Sequence, residues 1–366
     1  MKKKILVAFG TRPEIIKLAP VIQEFKKSDL DVITVHTGQH DQLAQDMLSL
    51  FNISPNFDLK SMEEASDLFE LTQFLLPKLK ALFLSEKPDI VIVQGDTTSS
   101  YLSALAAFYL QIPVYHVEAG LRSFDNQNPF PEELNRKQIS AIASIHFTPT
   151  SIASKNLIAE NIDPKSIFET GNTVIDALYQ IKKSTEYSTS KPSVLDEIKN
   201  NQTLIVVTSH RRENLGAPLR SILKGLIKIL DQDPSRLIVY PAHPNPAVQE
   251  IVNSAEFSHE RLRLIAPLGY LAFHHLLERA DLILTDSGGI QEEAAALGKK
   301  MLVLRETTER QELIEKNFTK LVGSDTEIIV AETESVLNSE QKEIGINPYG
   351  DGNAAKKIAE IVRSGL

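Results

Sequence analysis

The stretch 284-LTDSGGIQEEAAALG-298 decides how the chain is read. An aliphatic run, Leu282–Thr285, ends in Asp286. Three small residues follow, Ser287, Gly288 and Gly289, and a helix-like segment then opens with Gln291, Glu292 and Glu293. A strand that passes into a helix through so short a turn is the start of a βα unit. The small residues let a ligand touch the backbone, and the unpaired N–H groups and positive end of the helix favour phosphate. Glu293, one turn into the helix, is placed to accept hydrogen bonds from ribose hydroxyls. SGG alone is equally compatible with a plain tight turn, because the spacing is neither GxGxxG nor a Walker pattern.

The same alternation extends outward in both directions. Short aliphatic runs at Ile5–Phe9, Asp31–His36, Asp89–Val93, Val114–Val117, Thr203–Thr208, Leu237–Tyr240, Leu262–Ile265, Leu282–Thr285 and Met301–Leu304 are separated by longer amphipathic segments. Continuous apolar runs imply strands buried on both faces, hence parallel sheets covered by helices. The βαβ series occurs twice, which predicts an α/β protein with an N-terminal domain over 1–170 and a C-terminal domain over 171–349. Gly171 and Asn172 mark the turn between them, and the polar stretch Lys182–Val194 is a surface connection. The final helical pattern, about 350–366, is expected to cross back onto the first domain.

Composition excludes several classes. With 366 residues and 42% hydrophobic content the chain can bury two cores of ordinary size. A net charge of −9 argues against a nucleic-acid binder, which needs clustered Lys and Arg. No apolar run approaches the roughly 20 residues needed to span a bilayer. "MKKKILVAFGTRPE" starts like a signal peptide but is stopped by Gly10, Arg12 and Pro13, so it reads as a first buried strand. The absence of cysteine fits a reducing cytoplasm. A metal is disfavoured as well: His36 and His40 have HxxxH spacing but run through a glycine turn and lack the HExxH glutamate.

In open parallel sheets ligands bind beyond the carboxyl ends of strands, so the residues after each run carry the functional reading. The first run leads into Arg12 and Lys17, with Thr11 and Pro13 suited to a helix start. An ordinary helix start with an exposed arginine is the commoner reading; but positive side chains gain nothing from the dipole at a helix N-terminus, and an anionic ligand would explain them. Gln39 and His40 follow the second run and are equally well read as a capped turn. Asp96 and Glu118 leave the third and fourth runs on one edge of one sheet, and the prolines of "NPFPEELNRK" deliver Glu132 and Glu133. One loop carboxylate is usually just solvated. Several at one sheet edge suggest separated acid and base roles, since proximity drives their pKa values apart. In the second half His210, beside Arg211 and Arg212, is equally well read as a proton carrier or phosphate donor and as a satisfied loop histidine. His243 stands similarly after another run, and Arg310 offers a further positive contact near Ser287, Gly288 and Gly289.

The motifs "FGTRPEIIKLAPV", "VQGDTTSS", "HVEAGLRS", "PFPEELNR", "TGNTVIDAL", "SHRRENLG", "LTDSGGIQEEA", "RETTER" and "NPYGDG" resemble, in order and over nearly the whole chain, the non-hydrolysing UDP-N-acetylglucosamine 2-epimerase family. The resemblance implies a glycosyltransferase-B-like architecture of two Rossmann-like domains around an active-site cleft, and a homodimer. It further implies reversible interconversion of UDP-GlcNAc and UDP-ManNAc for cell-surface polysaccharide synthesis, with a UDP-sugar partner and neither metal nor cofactor. Asp96, Glu118, Glu132 and His210 match the family's catalytic positions. Arg12, Lys17, Gln39, His40, Phe273, Ser287, Gly289, Glu293 and Arg310 match its substrate contacts, with Phe273 near the uracil and Glu293 at the ribose. Gln311 and Lys300 stand where the family commonly has proline, and are expected to loosen the backbone around Arg310. In family members activated by a second UDP-GlcNAc, an arginine lies in the segment corresponding to Met62–Ser66. Here that segment reads "MEEAS", which weighs against such activation, with Gln42 and His243 as the remaining candidates. "GTRPE" favours the non-hydrolysing branch over a hydrolysing 2-epimerase. A diacetamido uronic acid substrate, a retaining glycosyltransferase and a non-catalytic UDP-sugar sensor are the other readings.

Overall fold

A computed structural model describes residues 2–38, 42–61, 65–316, 318–339 and 347–365. The chain forms two compact units, Met1–Gln180 with Pro348–Leu366, and Ile181–Asn347. The division falls near the end of the helix Thr173–Ile181 instead of at the Gly171–Asn172 turn, because that helix buries Val174, Ile175, Ala177 and Leu178.

The first unit is built on β1 (Lys3–Phe9), β2 (Leu30–His36), β3 (Phe57–Asp58), β4 (Ile90–Gln94), β5 (Val114–Val117), β6 (Ile145–Thr148) and β7 (Ile167–Glu169). They form one parallel sheet in the order β3-β2-β1-β4-β5-β6-β7. The second unit uses β8 (Thr203–Thr208), β9 (Arg236–Pro241), β10 (Leu262–Ile265), β11 (Leu282–Thr285), β12 (Met301–Val303) and β13 (Thr319–Leu321). Its parallel order is β10-β9-β8-β11-β12-β13. Both sheets follow the doubly wound pattern in which the strand order reverses beside the first strand. The crevices therefore open where β1 meets β4 and where β8 meets β11.

Burial explains why the aliphatic runs become central strands. Ile5–Phe9 and Leu204–Val207 are all buried, so each side chain gains transfer free energy on either face of its sheet, about 1.5–3 kcal/mol for each large aliphatic one. The helix Arg12–Lys26 covers the first sheet with Ile15, Leu18, Ile22 and Phe25. In the second unit Ala217–Gln232 does the same with Leu219, Ile222, Leu226 and Ile229. The strands β3, β6, β7 and β13 lie toward the edges; their sequences FD, IHFT, IFE and TKL are short and mixed, and carry no apolar run. Among the described residues no helix is long and apolar enough to cross a membrane.

The C-terminal helix Ala354–Ser364 packs against Arg12–Lys26. Its start is capped from a distance: Asp176 accepts the backbone N–H groups of Ala354 at 3.2 Å and Ala355 at 2.9 Å. Burial pushes the Asp176 carboxyl up to about 6, against the partial relief from those amides. Its folded pKa lies above its unfolded one, so ionising it opposes folding. Wild-type stability relative to Asp176→Asn should fall as pH rises from 4 to 6 and then level off, a change of about 2–3 kcal/mol. Urea unfolding of both proteins across that range measures it, and a pH-independent difference would contradict it.

Candidate active site

The switch point of the first unit is filled by the chain's own carboxylate. Glu14, buried in the first turn of its helix, accepts from Gly10 N at 2.9 Å, Thr11 N at 2.6 Å and Thr97 Oγ1 at 2.8 Å, and also from Ser100 Oγ. The acids lie one strand over. Gln94 pairs with Val117 across β4 and β5, so Asp96 and Glu118 leave adjacent strands just beyond that pair.

Asp96 is anchored on both sides. Its carbonyl accepts from Asn135 Nδ2 at 2.9 Å, and its Oδ2 lies 2.5 Å from Arg136 Nη2. The preceding residue, Gly95, presents its carbonyl to His116 Nε2 at 2.8 Å. Burial drives the His116 imidazole down to about 3, so it is neutral and donates through Nε2. Both Asn135 and Arg136 come from the helix Glu132–Ile142. Glu133 in its first turn has no solvent exposure; it holds Arg136 Nη1 at 2.9 Å and the amides of Ser123 and Phe124 at 3.0 and 3.1 Å. Glu133 is thus a clamp on the loop and on Arg136. Glu132 is half-buried, and its Oε2 makes no hydrogen bond among the described residues.

Glu118 has a left-handed backbone, φ 64°, an uncommon conformation for a residue other than glycine. Its side chain is 6% exposed and ion-paired through Oε2 with Lys17, itself 8% exposed, while Asn172 Nδ2 donates to the same oxygen at 3.0 Å. Lys17, expected as a ligand contact, is therefore also the counter-charge of an acid. Arg12 is half-buried at the start of the same helix.

The second unit is organised around Asp286, which is 0% exposed. Its Oδ2 accepts from Ser209 Oγ at 3.1 Å and from His210 N, Arg211 N and Asn214 Nδ2, each at 2.9 Å; its carbonyl accepts from Arg211 Nε at 3.1 Å. His210 Nδ1 stands 3.3 Å from Asp286 Oδ1, and its ring stacks on that of His243, with centroids 6.0 Å apart. Desolvation holds the His210 imidazole below its ordinary value; Asp286 opposes this, and Arg211 and His243 add to it.

The helix Gly288–Ala296 begins beside this hub with Ser287 as N-cap. Arg310 lies directly on Gly288: a Cβ there would come within 2.8 Å of its Cζ. Arg310 donates to Glu292 Oε1 through Nε at 2.9 Å and Nη2 at 2.7 Å, and Glu309 bridges it to Arg305, whose Nε reaches Glu213 at 2.9 Å. Around Gly289 a Cβ would meet nothing within 4 Å. Amides at a helix terminus, backed by arginines in a fixed salt-bridge frame, are an arrangement of the kind that suits an anion. Glu293, one turn on, accepts from Tyr270 Oη at 3.0 Å and lies 3.5 Å from His274 Nε2. The helix Tyr270–Arg279 that supplies both also carries Phe273.

The UDP-N-acetylglucosamine 2-epimerase family model matches residues 23–363. A Bacillus subtilis UDP-N-acetylglucosamine 2-epimerase is 46% identical to this chain, covering 98% of it and 95% of the relative. The chain belongs to the UDP-N-acetylglucosamine 2-epimerase family. The Neisseria meningitidis UDP-GlcNAc 2-epimerase, solved bound to UDP-GlcNAc, superposes with a TM-score of 0.92 at 40% identity over 99% of this chain and 100% of that one. At the level of fold alone, a glycosyltransferase of kitacinnamycin superposes with a TM-score of 0.67 at 10% identity, covering 100% of this chain and 99% of that one. This likeness marks the fold as glycosyltransferase-B-like.

Within this epimerase-family frame, the two residues that stand in place of proline each make hydrogen bonds that a proline could not. Gln311 Nε2 donates to the Thr308 carbonyl at 2.6 Å, and Thr308 Oγ1 accepts from Arg310 N at 3.2 Å. Lys300 Nζ donates to the carbonyls of Val336 at 2.8 Å and Ser339 at 3.0 Å, at the end of the helix Thr326–Asn338. Gln39, His40, the Gln42 side chain and positions 62–64 lie outside the described residues.

Sequence reasoning did not single out Arg136, His116, Tyr270 or His274, and read Asn172 only as a turn; each of them holds a candidate residue or its chain neighbour in place. Arg136 had a signal, an i,i+3 spacing from Glu133 on a helix; Asn172 and His116 had none, since their partners are remote in sequence. Asp286 was visible only as a strand end. Replacing Asp286 with Ala strands the His210 and Arg211 amides in the interior, and unfolding free energy should fall by roughly 3–5 kcal/mol. Chemical denaturation reads the loss. Hydrogen exchange should rise first at 209–214, and an unchanged midpoint would show that the hub is dispensable.

Proposed function

We propose that the protein interconverts UDP-N-acetylglucosamine and UDP-N-acetylmannosamine by eliminating UDP and adding it back, without releasing free sugar. The observation that supports this most is the division of labour. One unit offers an anion seat at Ser287, Gly288 and Gly289 with Arg310 fixed upon it; the other offers Asp96 and Glu118 on adjacent strands, each bound to its own cation.

The chemistry follows from what C2 lacks. No carbonyl neighbours it, so its hydrogen is not acidic and direct removal is prohibitively slow. Departure of UDP leads: as the C1–O bond lengthens, the ring gains oxocarbenium character and the C2 proton becomes labile to a carboxylate. Elimination gives 2-acetamidoglucal and UDP. Protonation of C2 from the opposite face with re-addition of UDP at C1 inverts the centre. In this reading the diphosphate sits on the Ser287–Gly289 amides with Arg211 and Arg310, each donor contributing about 3 kcal/mol where charge develops. Glu293, oriented by Tyr270, takes the ribose, and Phe273 lies near the uracil. Arg12, Lys17, Gln39, His40 and His243 complete the substrate contacts.

Asp96 and Glu118 act around C2, with Glu132 as a further acid or base; such groups contribute roughly 10²–10⁴-fold. Lys17 and Arg136 pair with Glu118 and Asp96 and hold them in place. Neutral in the free protein, His210 takes up a proton as the diphosphate arrives and donates to it. The cysteine-free chain fits a reducing cytoplasm, and the family resemblance supports a homodimer.

Incubation with UDP-GlcNAc in D₂O followed by NMR should show deuterium entering C2 of a nucleotide-linked epimer. Free N-acetylmannosamine would mean hydrolysis, and an unchanged spectrum would mean a sensor. Asp96→Asn should abolish this exchange while leaving UDP affinity within about threefold, since general-base loss acts on the chemical step. Because desolvation holds His210 below 6.5 in the free protein, UDP binding near pH 6.5 should take up protons. Calorimetry in buffers of different ionisation enthalpy detects this, and it should vanish in His210→Gln.

A further inference from the structure

Both donors on Glu118 stand on elements that touch the same distant part of the chain. Lys17 stands on the helix Arg12–Lys26, against which the C-terminal helix Ala354–Ser364 packs. Asn172 stands in a turn bonded to the segment just before that helix: its N–H donates to the Tyr349 carbonyl at 2.8 Å. Gly171 has φ 93°, and a Cβ there would meet Tyr349 O at 2.9 Å, so the approach requires glycine. Tyr349 is itself fully buried, and Asp176 on the helix Thr173–Ile181 caps the C-terminal helix through Ala354 and Ala355.

We propose that Asn172 is a positioning residue for Glu118, and that the returning segment Pro348–Gly352 serves the reaction by fixing Asn172. The proposal rests on Glu118 being a proton-transfer group. An ion pair alone leaves a carboxylate free to turn about the line to its ammonium. A second donor on the same oxygen, here the Asn172 amide beside Lys17, fixes its plane and hence the direction in which a proton is taken or given. The left-handed backbone at Glu118 persists only where its surroundings over-determine it, and these two contacts are among those surroundings.

Asn172 also has a purely structural contact, since its Oδ1 accepts from Val174 N at 3.1 Å. Asn172→Asp separates the two roles: it keeps the shape and that acceptor but replaces the Nδ2 donor with an oxygen facing Glu118. We expect kcat to fall about 100-fold, the cost of a misaligned reacting group, with KM and UDP affinity within about threefold of wild type. If Asn172 only supports its turn, Asn172→Asp keeps wild-type kcat and Asn172→Ala is the damaged variant; that result overturns the proposal. Gly171→Ala, which displaces the turn from Tyr349, should likewise lower kcat and spare UDP binding. It decides the matter if Asn172→Asp does not fold, and equal losses in both quantities, or none, count against the proposal. Glu118→Gln tells the two levels apart. Normal turnover in that variant overturns the reading of Glu118, whereas an inactive Glu118→Gln beside a fully active Asn172→Asp overturns only the positioning.

Discussion

Asp286 gathers four hydrogen bonds on one carboxylate oxygen in the interior of the second unit, and the geometry around the start of the helix Gly288–Ala296 depends on it. Two backbone amides, a hydroxyl and a side-chain amide converge on one of its oxygens. A buried carboxylate is tolerable only when so surrounded. The same contacts bend the chain after β8 so that His210 and Arg211 turn toward the start of the helix at Gly288. Small residues leave the backbone open there, and Arg310 rests on it. Remove the carboxylate and the loop loses its reason to fold inward.

The two units share a strand order and differ in what fills the crevice it creates. At the second crevice a carboxylate from β11's own end gathers the amides of the loop after β8, and leaves the following helix terminus available. In the first, Glu14 gathers the amides of its own loop, and the candidate acids emerge further along the sheet at Asp96 and Glu118. Each of those acids is held by a cation from a helix, Arg136 or Lys17, and each cation has a further tether: Glu133 for the arginine, and for the lysine the packing of the last helix.

Much of this architecture was legible in the residues. Every continuous aliphatic run became a strand, because full burial on both faces leaves no other use for such runs. Of the four strands without a run, IHFT at β6 is buried throughout by its neighbours despite its mixed composition, whereas β3, β7 and β13 stay partly exposed. The strand-end rule located Asp96, Glu118, His210, Ser287 and Gly289, since the topology places every strand's carboxyl end on one edge. It did not reveal what holds them. Arg136 to Asp96 spans 40 positions and Asn172 to Glu118 spans 54, and no periodicity links such pairs. For a related reason the carbonyls of Thr308, Val336 and Ser339 that Gln311 and Lys300 capture were not legible either.

Glu14 also decides what a single exchange would undo. Because Gly10 N, Thr11 N, Thr97 Oγ1 and Ser100 Oγ all donate to this one side chain, it staples the loop after β1 to the start of the helix Thr98–Tyr109 that follows β4. Exchanging it for an apolar residue would orphan donors on both flanks of the first crevice at once.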